Sequence, residues 1–244
     1  MKYIASCSFG KDSLAMLIKI KELGLPLNEV IYCEIMFDNE ISGETPEMYN
    51  FIKKAEKILK DKYDITVKHI RGISVKEQFY KVKQRGKHIG DNYGFPYCIG
   101  AWCNEYLKMK PIRKYYASIK EPYKTYIGIA YDEPKRYERL NKEKEIALLY
   151  DLKITEKEAM EICRKNNLLS PIYKTSFRGG CWFCIKQRKS QLKWLYETHR
   201  ELWNKLIEME KDSFKSFKPN KTLKQFEKQF EVERKQLIIG GTNE

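Results

Sequence analysis

Apolar and polar residues along the first half of this chain fall into blocks that predict strands and helices by turns. Tyr3 to Cys7 is a short apolar run and predicts a strand, after which Leu14, Leu17 and Ile18 recur at helical spacing as far as Leu23. Gly24 then stands as a C-cap and Pro26 as a stop. Val30 to Phe37 is a continuous apolar run closed by Asp38, the pattern of a strand buried on both faces in a parallel sheet. Thr45 and Pro46 make an N-cap and first-turn pair, and Phe51, Ile52, Ala55, Ile58 and Leu59 share one face of the helix that follows. Ile65 to Ile70 predicts a third strand. This alternation predicts an α/β fold with a doubly wound, mainly parallel sheet.

The second half is read in the same way. Residues 71–100 are less regular, with glycines clustered late in the stretch, and predict a mobile loop over the site. Lys124 to Ala130 is a further strand, followed by the charged segment Tyr131 to Arg136. Thr155 to Glu158 is a capping box for a helix carrying Ala159, Ile162 and Cys163 inward. One helix is predicted over Leu192 to Ile207, with Leu195, Tyr196, His199, Leu202, Trp203 and Leu206 on its stripe. A last helix starts at the Thr222 to Gln225 box and carries Phe226 and Phe230, and the basic stretch Lys211 to Lys221 reads as a short linker. The expected organisation is an α/β domain over 1–176 and, over 177–244, a cysteine knuckle with a C-terminal helical extension packed on that domain.

Composition changes this picture in two ways. At 244 residues, with 42% apolar and 13% aromatic residues, the chain is long enough for a real core. A net charge of +14, spread over every segment, points to a polyanionic partner: RNA, DNA or a nucleotide. Met1-Lys2 leads straight into a strand without a secretory leader, and no apolar run reaches membrane-spanning length, so a cytoplasmic location without membrane attachment is expected. The seven cysteines are then reduced thiols suited to metal or catalytic use.

The chemistry concentrates in two places. Ser8-Phe9-Gly10-Lys11-Asp12-Ser13 joins the first strand to the first helix, where unpaired N–H groups and the positive end of the helix dipole favour a phosphate. Asp12 after the lysine excludes the Walker loop. The loop, Asp38 to Glu47, and Gly128 to Arg139 all fall at carboxyl ends of predicted strands, where an open parallel sheet binds its ligand. Cys181-Trp182-Phe183-Cys184, after Gly179-Gly180, is a knuckle whose two thiolates can face one cation or cluster, and Cys98 and Cys103 could supply two more ligands. Zinc, an iron–sulfur cluster and a redox-active Cys181–Cys184 pair all fit that spacing. Cys7, Cys33 and Cys163 read as core thiols, His199 as a satisfied core histidine, and Trp182, Trp194 and Trp203 as packing residues.

The motif Ser8 to Ser13 resembles the PP-loop of the adenine nucleotide α-hydrolase superfamily. Further motifs follow in order: Phe37-Asp38-Asn39-Glu40, Glu44-Thr45-Pro46-Glu47, Leu107 to Ile112, Gly128-Ile129 with Asp132-Glu133, Arg178 to Cys184, and Thr198 to Trp203. Together they resemble the phosphoadenosine phosphosulfate (PAPS) reductase family. The resemblance implies a PP-loop, HUP-like domain that binds ATP with Mg2+, with Lys11, Asp12 and Ser13 catalytic and Ser8, Phe9, Gly10, Asp38, Gly128 and Arg136 around the nucleotide. It also implies a [4Fe-4S] cluster on Cys98, Cys103, Cys181 and Cys184, with Zn2+ as the alternative.

Three features depart from that family. The first cysteine pair is Cys-x-x-x-x-Cys rather than adjacent, Ala130 and Pro134 replace anion-binding positions, and the tail after Leu237 holds no cysteine. The reaction expected is therefore ATP cleavage to AMP and pyrophosphate, adenylating a substrate for sulfur transfer to a nucleic acid (tRNA or DNA) or nucleotide. A sulfur donor or thiol reductant is the further partner, and a homodimer is an assembly the sequence leaves open. The alternatives are a sulfonucleotide reductase releasing sulfite, and a non-catalytic nucleic-acid-binding zinc module.

Overall fold

The computed structural model describes residues 1–86, 88–96, 101–174 and 180–240, with residues 174 and 237–240 described by backbone alone. Strand β1 (Lys2–Cys7) leads through the loop into helix α1 (Lys11–Glu22), then β2 (Glu29–Glu34), α2 (Pro46–Tyr63), β3 (Val67–Arg71) and α3 (Val75–Tyr80). A π-helix (Asn104–Met109) runs into α4 (Lys110–Ala117), followed by β4 (Tyr123–Ile127), α5 (Pro134–Tyr137), the two-residue β5 (Glu145–Ile146), α6 (Leu148–Asp151) and α7 (Glu156–Lys165). A 3-10 turn (Pro171–Lys174) precedes the C-terminal helices α8 (Lys189–Thr198), α9 (Arg200–Lys211) and α10 (Leu223–Gly240).

All four strand pairings are parallel and the order is β3-β2-β1-β4-β5. The sheet winds outward from β1 in one direction to β3, then restarts on the other side at β4. That reversal opens a crevice at the carboxyl ends of β1 and β4, the position at which such sheets bind ligands. The α/β class and the parallel sheet agree with the alternation in the sequence.

Two apolar clusters hold the chain. The first packs α1 against the sheet, α2, α6 and α7, and Leu14 to Ile18 are fully buried within it. Because α1 is covered on nearly every side, its amino end is fixed relative to β1 and β4. The second cluster joins Phe37, Val75, Phe79, Phe95 and Leu107 to Trp182, Trp203, Phe217 and Phe230. It seats the cysteine knuckle and the C-terminal helices beside the carboxyl end of β2.

Several local expectations are corrected. The predicted strand through Phe37 ends at Glu34, because Phe37 turns back to donate its N–H to the Ile41 carbonyl at 2.8 Å. The described part of 71–100 is not a loop over the site: α3 caps the Met36 and Phe37 carbonyls with its first N–H groups and buries Phe79 completely, while Val82 and Asn92 form a bridge. The predicted single helix over Leu192 to Ile207 is two, broken at His199 (φ −128°, ψ 63°). The Lys211 to Lys221 stretch is no linker, since Phe217 is 2% exposed within the second cluster.

Candidate functional site

The loop after β1 is shaped by Phe9, whose φ of 53° lies in the left-handed region that phenylalanine rarely adopts. That turn drops the phenyl ring into the core, edge-on to Tyr32 at 4.9 Å, and the chain then enters α1 at Gly10. No side chain caps the helix at Gly10, so its first-turn N–H groups have no carbonyl partner within α1. Ser13 stiffens the loop instead: its hydroxyl donates to the Gly10 carbonyl at 2.9 Å, accepts from Ser8 N–H at 3.1 Å and lies 3.3 Å from Ser8 Oγ. Tyr173 reaches in from the 3-10 turn, its hydroxyl accepting from Lys11 N–H at 3.0 Å.

Gly128 follows β4 and backs directly onto this loop. A Cβ built on it would stand 2.8 Å from Ser13 N and 2.9 Å from the Asp12 carbonyl carbon, so only glycine allows so close an approach.

Lys11 is 7% exposed, and its ammonium lies 2.9 Å from Asp12 Oδ1 and 3.2 Å from Glu156 Oε2. Burial works against its charge, but the two carboxylates outweigh it and hold the group protonated above the usual lysine range. Asp12 shows the converse. Burial, with Glu156 and Glu133 nearby, pushes its carboxyl up despite Lys11. Asp12, Glu133 and Glu156 bring one oxygen each to within 4.8 Å of one another, the one such group among the described residues. Arg136 pairs with Glu133 through both carboxylate oxygens, at 2.7 and 2.6 Å. Three carboxylates facing one lysine and one arginine leave excess negative charge, and hard oxygen donors of this kind suit Mg2+.

Asp38 stands elsewhere. It accepts from Glu40 and Ile41 N–H groups at 3.0 and 2.8 Å, closing its own turn. Burial would raise its carboxyl, but those N–H groups, with Lys76 and Lys205, hold it below the usual range. Its neighbour Phe37 packs on Trp182, ring centroids 4.6 Å apart, so this turn supports the knuckle.

The knuckle is docked on the β2 turn through its backbone. Trp182 donates N–H to Gly43 O at 3.0 Å and indole N–H to Ser42 O at 2.8 Å, and Cys184 N–H closes on Cys181 O at 3.0 Å. Cys103 ends the preceding segment where the π-helix begins. Burial pushes both Cys181 and Cys103 up, and the neighbouring thiols add to it: Cys184 and Cys103 act on Cys181, and Cys184 acts on Cys103. Three of the four predicted ligands thus feel one another's charge, although their sulfurs do not converge within 4.8 Å as the carboxylate trio does; as soft donors they suit an iron–sulfur cluster better than a closely held zinc. Cys98 lies outside the described residues.

Tyr32 and Glu44 lie between the two centres. Phe9 of the loop meets Tyr32 edge-on, and the Tyr32 hydroxyl donates to Glu44 at 3.4 Å. Glu44 in turn is close enough to Cys181 to disfavour its thiolate. Of the remaining thiols Cys7 and Cys163 are core residues, as expected, whereas Cys33 is half-buried. Cys7 and Cys163 are buried and pushed up to about 12, and Cys33 to about 11. His199 is satisfied by Glu47 at 2.8 Å, and Trp182 and Trp203 are packing residues. Sequence reasoning missed Glu156 as a site residue and took in Glu133 only as part of the Gly128 to Arg139 segment. The signal for Glu156 was present, since it opens the helix whose capping box was recognised.

No family model matches the chain. Over 102 residues it is 35% identical to the uncharacterized nin region protein ORF290 of Escherichia phage lambda, a match covering 41% of this chain. The chain spans about a third of that relative's length, 34%. Among solved structures it is similar to the U34-tRNA thiolase NcsA from Methanococcus maripaludis with its [4Fe-4S] cluster, at 18% identity and a TM-score of 0.42, covering 95% of this chain and 72% of that one. No helix is long and apolar enough to cross a membrane among the described residues.

Proposed function

We propose that the chain is a PP-loop enzyme that splits ATP between its α and β phosphates and adenylates a substrate for sulfur transfer to a nucleic acid. The observation that carries this reading is the junction of Lys11 with Asp12, Glu133 and Glu156 at the switch point between β1 and β4. A nucleotide at that crevice meets the open N–H groups of α1, the Lys11 ammonium and a carboxylate trio that would hold Mg2+. A substrate oxygen attacks the α-phosphorus in line, the bond to the bridging oxygen breaks and pyrophosphate leaves. Lys11 and the loop N–H groups neutralise the charge that builds on the phosphates, and Gly128 fixes the loop's position.

Cys103, Cys181 and Cys184, with Cys98, would hold an iron–sulfur cluster. Bound there, the cluster would present sulfur chemistry next to the adenylated substrate. Displacement of AMP by a sulfur nucleophile would complete the transfer. The path from Phe9 through Tyr32 and Glu44 to Cys181 supports this arrangement, because it sets the two centres side by side. The net charge of +14 supports a polyanionic acceptor. A thiol nucleophile of the reductase kind is disfavoured at Cys7, Cys33 and Cys163, whose thiols burial pushes up and keeps protonated at neutral pH.

Isothermal titration with Mg-ATP, combined with iron and acid-labile sulfide analysis of anaerobically purified protein, tests the reading. Nucleotide binding together with a brown protein containing both elements is the expected result. A protein that ignores ATP, or binds zinc alone, would falsify it.

A further inference from the structure

Beyond the knuckle, residues 80–96 and 211–221 lie together and form a surface the reaction above does not use. Tyr80 donates its hydroxyl to Asp212 at 2.7 Å, Asn92 Nδ2 donates to the Asp212 carbonyl at 2.6 Å, and the rings of Phe95 and Phe217 meet edge to face at 5.0 Å. Phe214 stands at the centre, 37% exposed. The Lys83 ammonium is 4.1 Å from its ring centre, that of Lys215 is 4.4 Å away, and the His88 ring lies against it at 4.7 Å. Beside it opens a cavity of about 340 Å3 lined by Phe95, Pro96, Ile185, Phe214, Lys215 and Asn220.

The charge on this surface has one sign. Residue 87 apart, the two segments hold seven lysines and arginines (Lys81, Lys83, Arg85, Lys211, Lys215, Lys218, Lys221) against Asp91 and Asp212. Both acids are engaged, Asp91 by His88 at 3.3 Å and Asp212 by Tyr80. Ammonium groups beside an aromatic ring can also meet phosphate oxygens while a base takes the ring face. Burial also pushes the Lys215 ammonium down, a cost that a bound anion would relieve.

We propose that this surface binds a single-stranded stretch of nucleic acid, with its phosphates on Lys83 and Lys215 and an unstacked base on Phe214 at the mouth of the cavity. The inference rests on the acceptor being a nucleic acid, and adds where it is held. A duplex keeps its bases stacked and offers nothing to the ring. The location is apt for the chemistry. Ile185, which lines the cavity, adjoins Cys184, and Trp102, which adjoins Cys103, donates its indole N–H to Gly94 O at 3.1 Å.

The test is fluorescence anisotropy on the full chain with a fluorescein-labelled single strand of about 12 nucleotides, its duplex, and poly-glutamate as competitor. The single strand is expected to bind more tightly than the duplex. Phe214→Ala should weaken it about 5- to 100-fold, and Phe214→Trp should retain it. Lys83→Ala combined with Lys215→Ala should reduce the salt slope by about 1.4, two phosphate contacts' worth. Matched melting curves separate binding loss from unfolding, and the lysine pair reports on the surface if Phe214→Ala does not fold. The proposal is overturned if the unmodified chain binds no strand, if Phe214→Ala binds within about twofold of it, or if duplex or poly-glutamate binds as well. ATP titrated into the same samples keeps the two readings apart. ATP binding without strand binding defeats this inference alone, whereas strand binding without ATP binding defeats the reading of the loop.

Discussion

Lys11 is the residue on which the site turns, because it is the buried cation shared by the loop and the carboxylate trio. Lys11→Ala is expected to lower ATP cleavage about 100- to 1000-fold, read as pyrophosphate release, with the melting temperature little changed. Gly128→Ala forces a methyl into the loop backbone, with Ser13 N 2.8 Å away. It should cost about 1–3 kcal/mol of stability in urea denaturation, and weaken ATP binding with it. His69 supplies a pH signature distant from the loop. Burial opposes its imidazolium, but Glu56 and Glu34 outweigh that and raise its pKa above the usual 6.5. The extra stability is therefore fully present below the unfolded value and is lost as pH rises through the higher folded value. His69→Gln should flatten the dependence of stability on pH above about 6.5, measured by denaturation across that range. Legibility at this scale follows contiguity. Lys11, Asp12 and Ser13 could be read because they are adjacent, whereas Glu133 and Glu156 join them only when α5 and α7 fold against α1. Asp38 was legible as a strand end, whereas the turn its carboxylate closes on Glu40 and Ile41 was not.

Between elements, the decisive contact is the knuckle on the turn after β2. Trp182→Phe keeps the ring packing but leaves the Ser42 carbonyl without its indole partner. A cost of about 1–3 kcal/mol is expected, with faster amide hydrogen exchange over 181–187 as the local readout. Unchanged exchange there would show that the indole bond does not hold the knuckle. The helix period ran unbroken through His199 in the sequence, yet Glu47 of α2 captures its ring and the chain turns between α8 and α9. A tertiary partner overrode local periodicity. The same holds for the described part of 71–100, where late glycines suggested an open loop but Phe79 packs on Phe95, and Phe95 on Phe217 from the C-terminal half.

At the scale of the whole molecule, alternating strands and helices made the parallel sheet legible, because each crossover needs a helix and consistent handedness. The order β3-β2-β1-β4-β5 was not written in any single segment, although it decides that Ser13 and Gly128 meet. That order brings phosphate loop, carboxylates and knuckle to one end of the sheet. The central claim is that ATP is split there between its α and β phosphates. Phosphorus NMR of Mg-ATP incubated with the chain, single-stranded nucleic acid and sulfide as the sulfur nucleophile tests it most directly. AMP and pyrophosphate in equal amounts, absent with Lys11→Ala, are the predicted products; ADP and orthophosphate, or ATP left intact, would contradict the account.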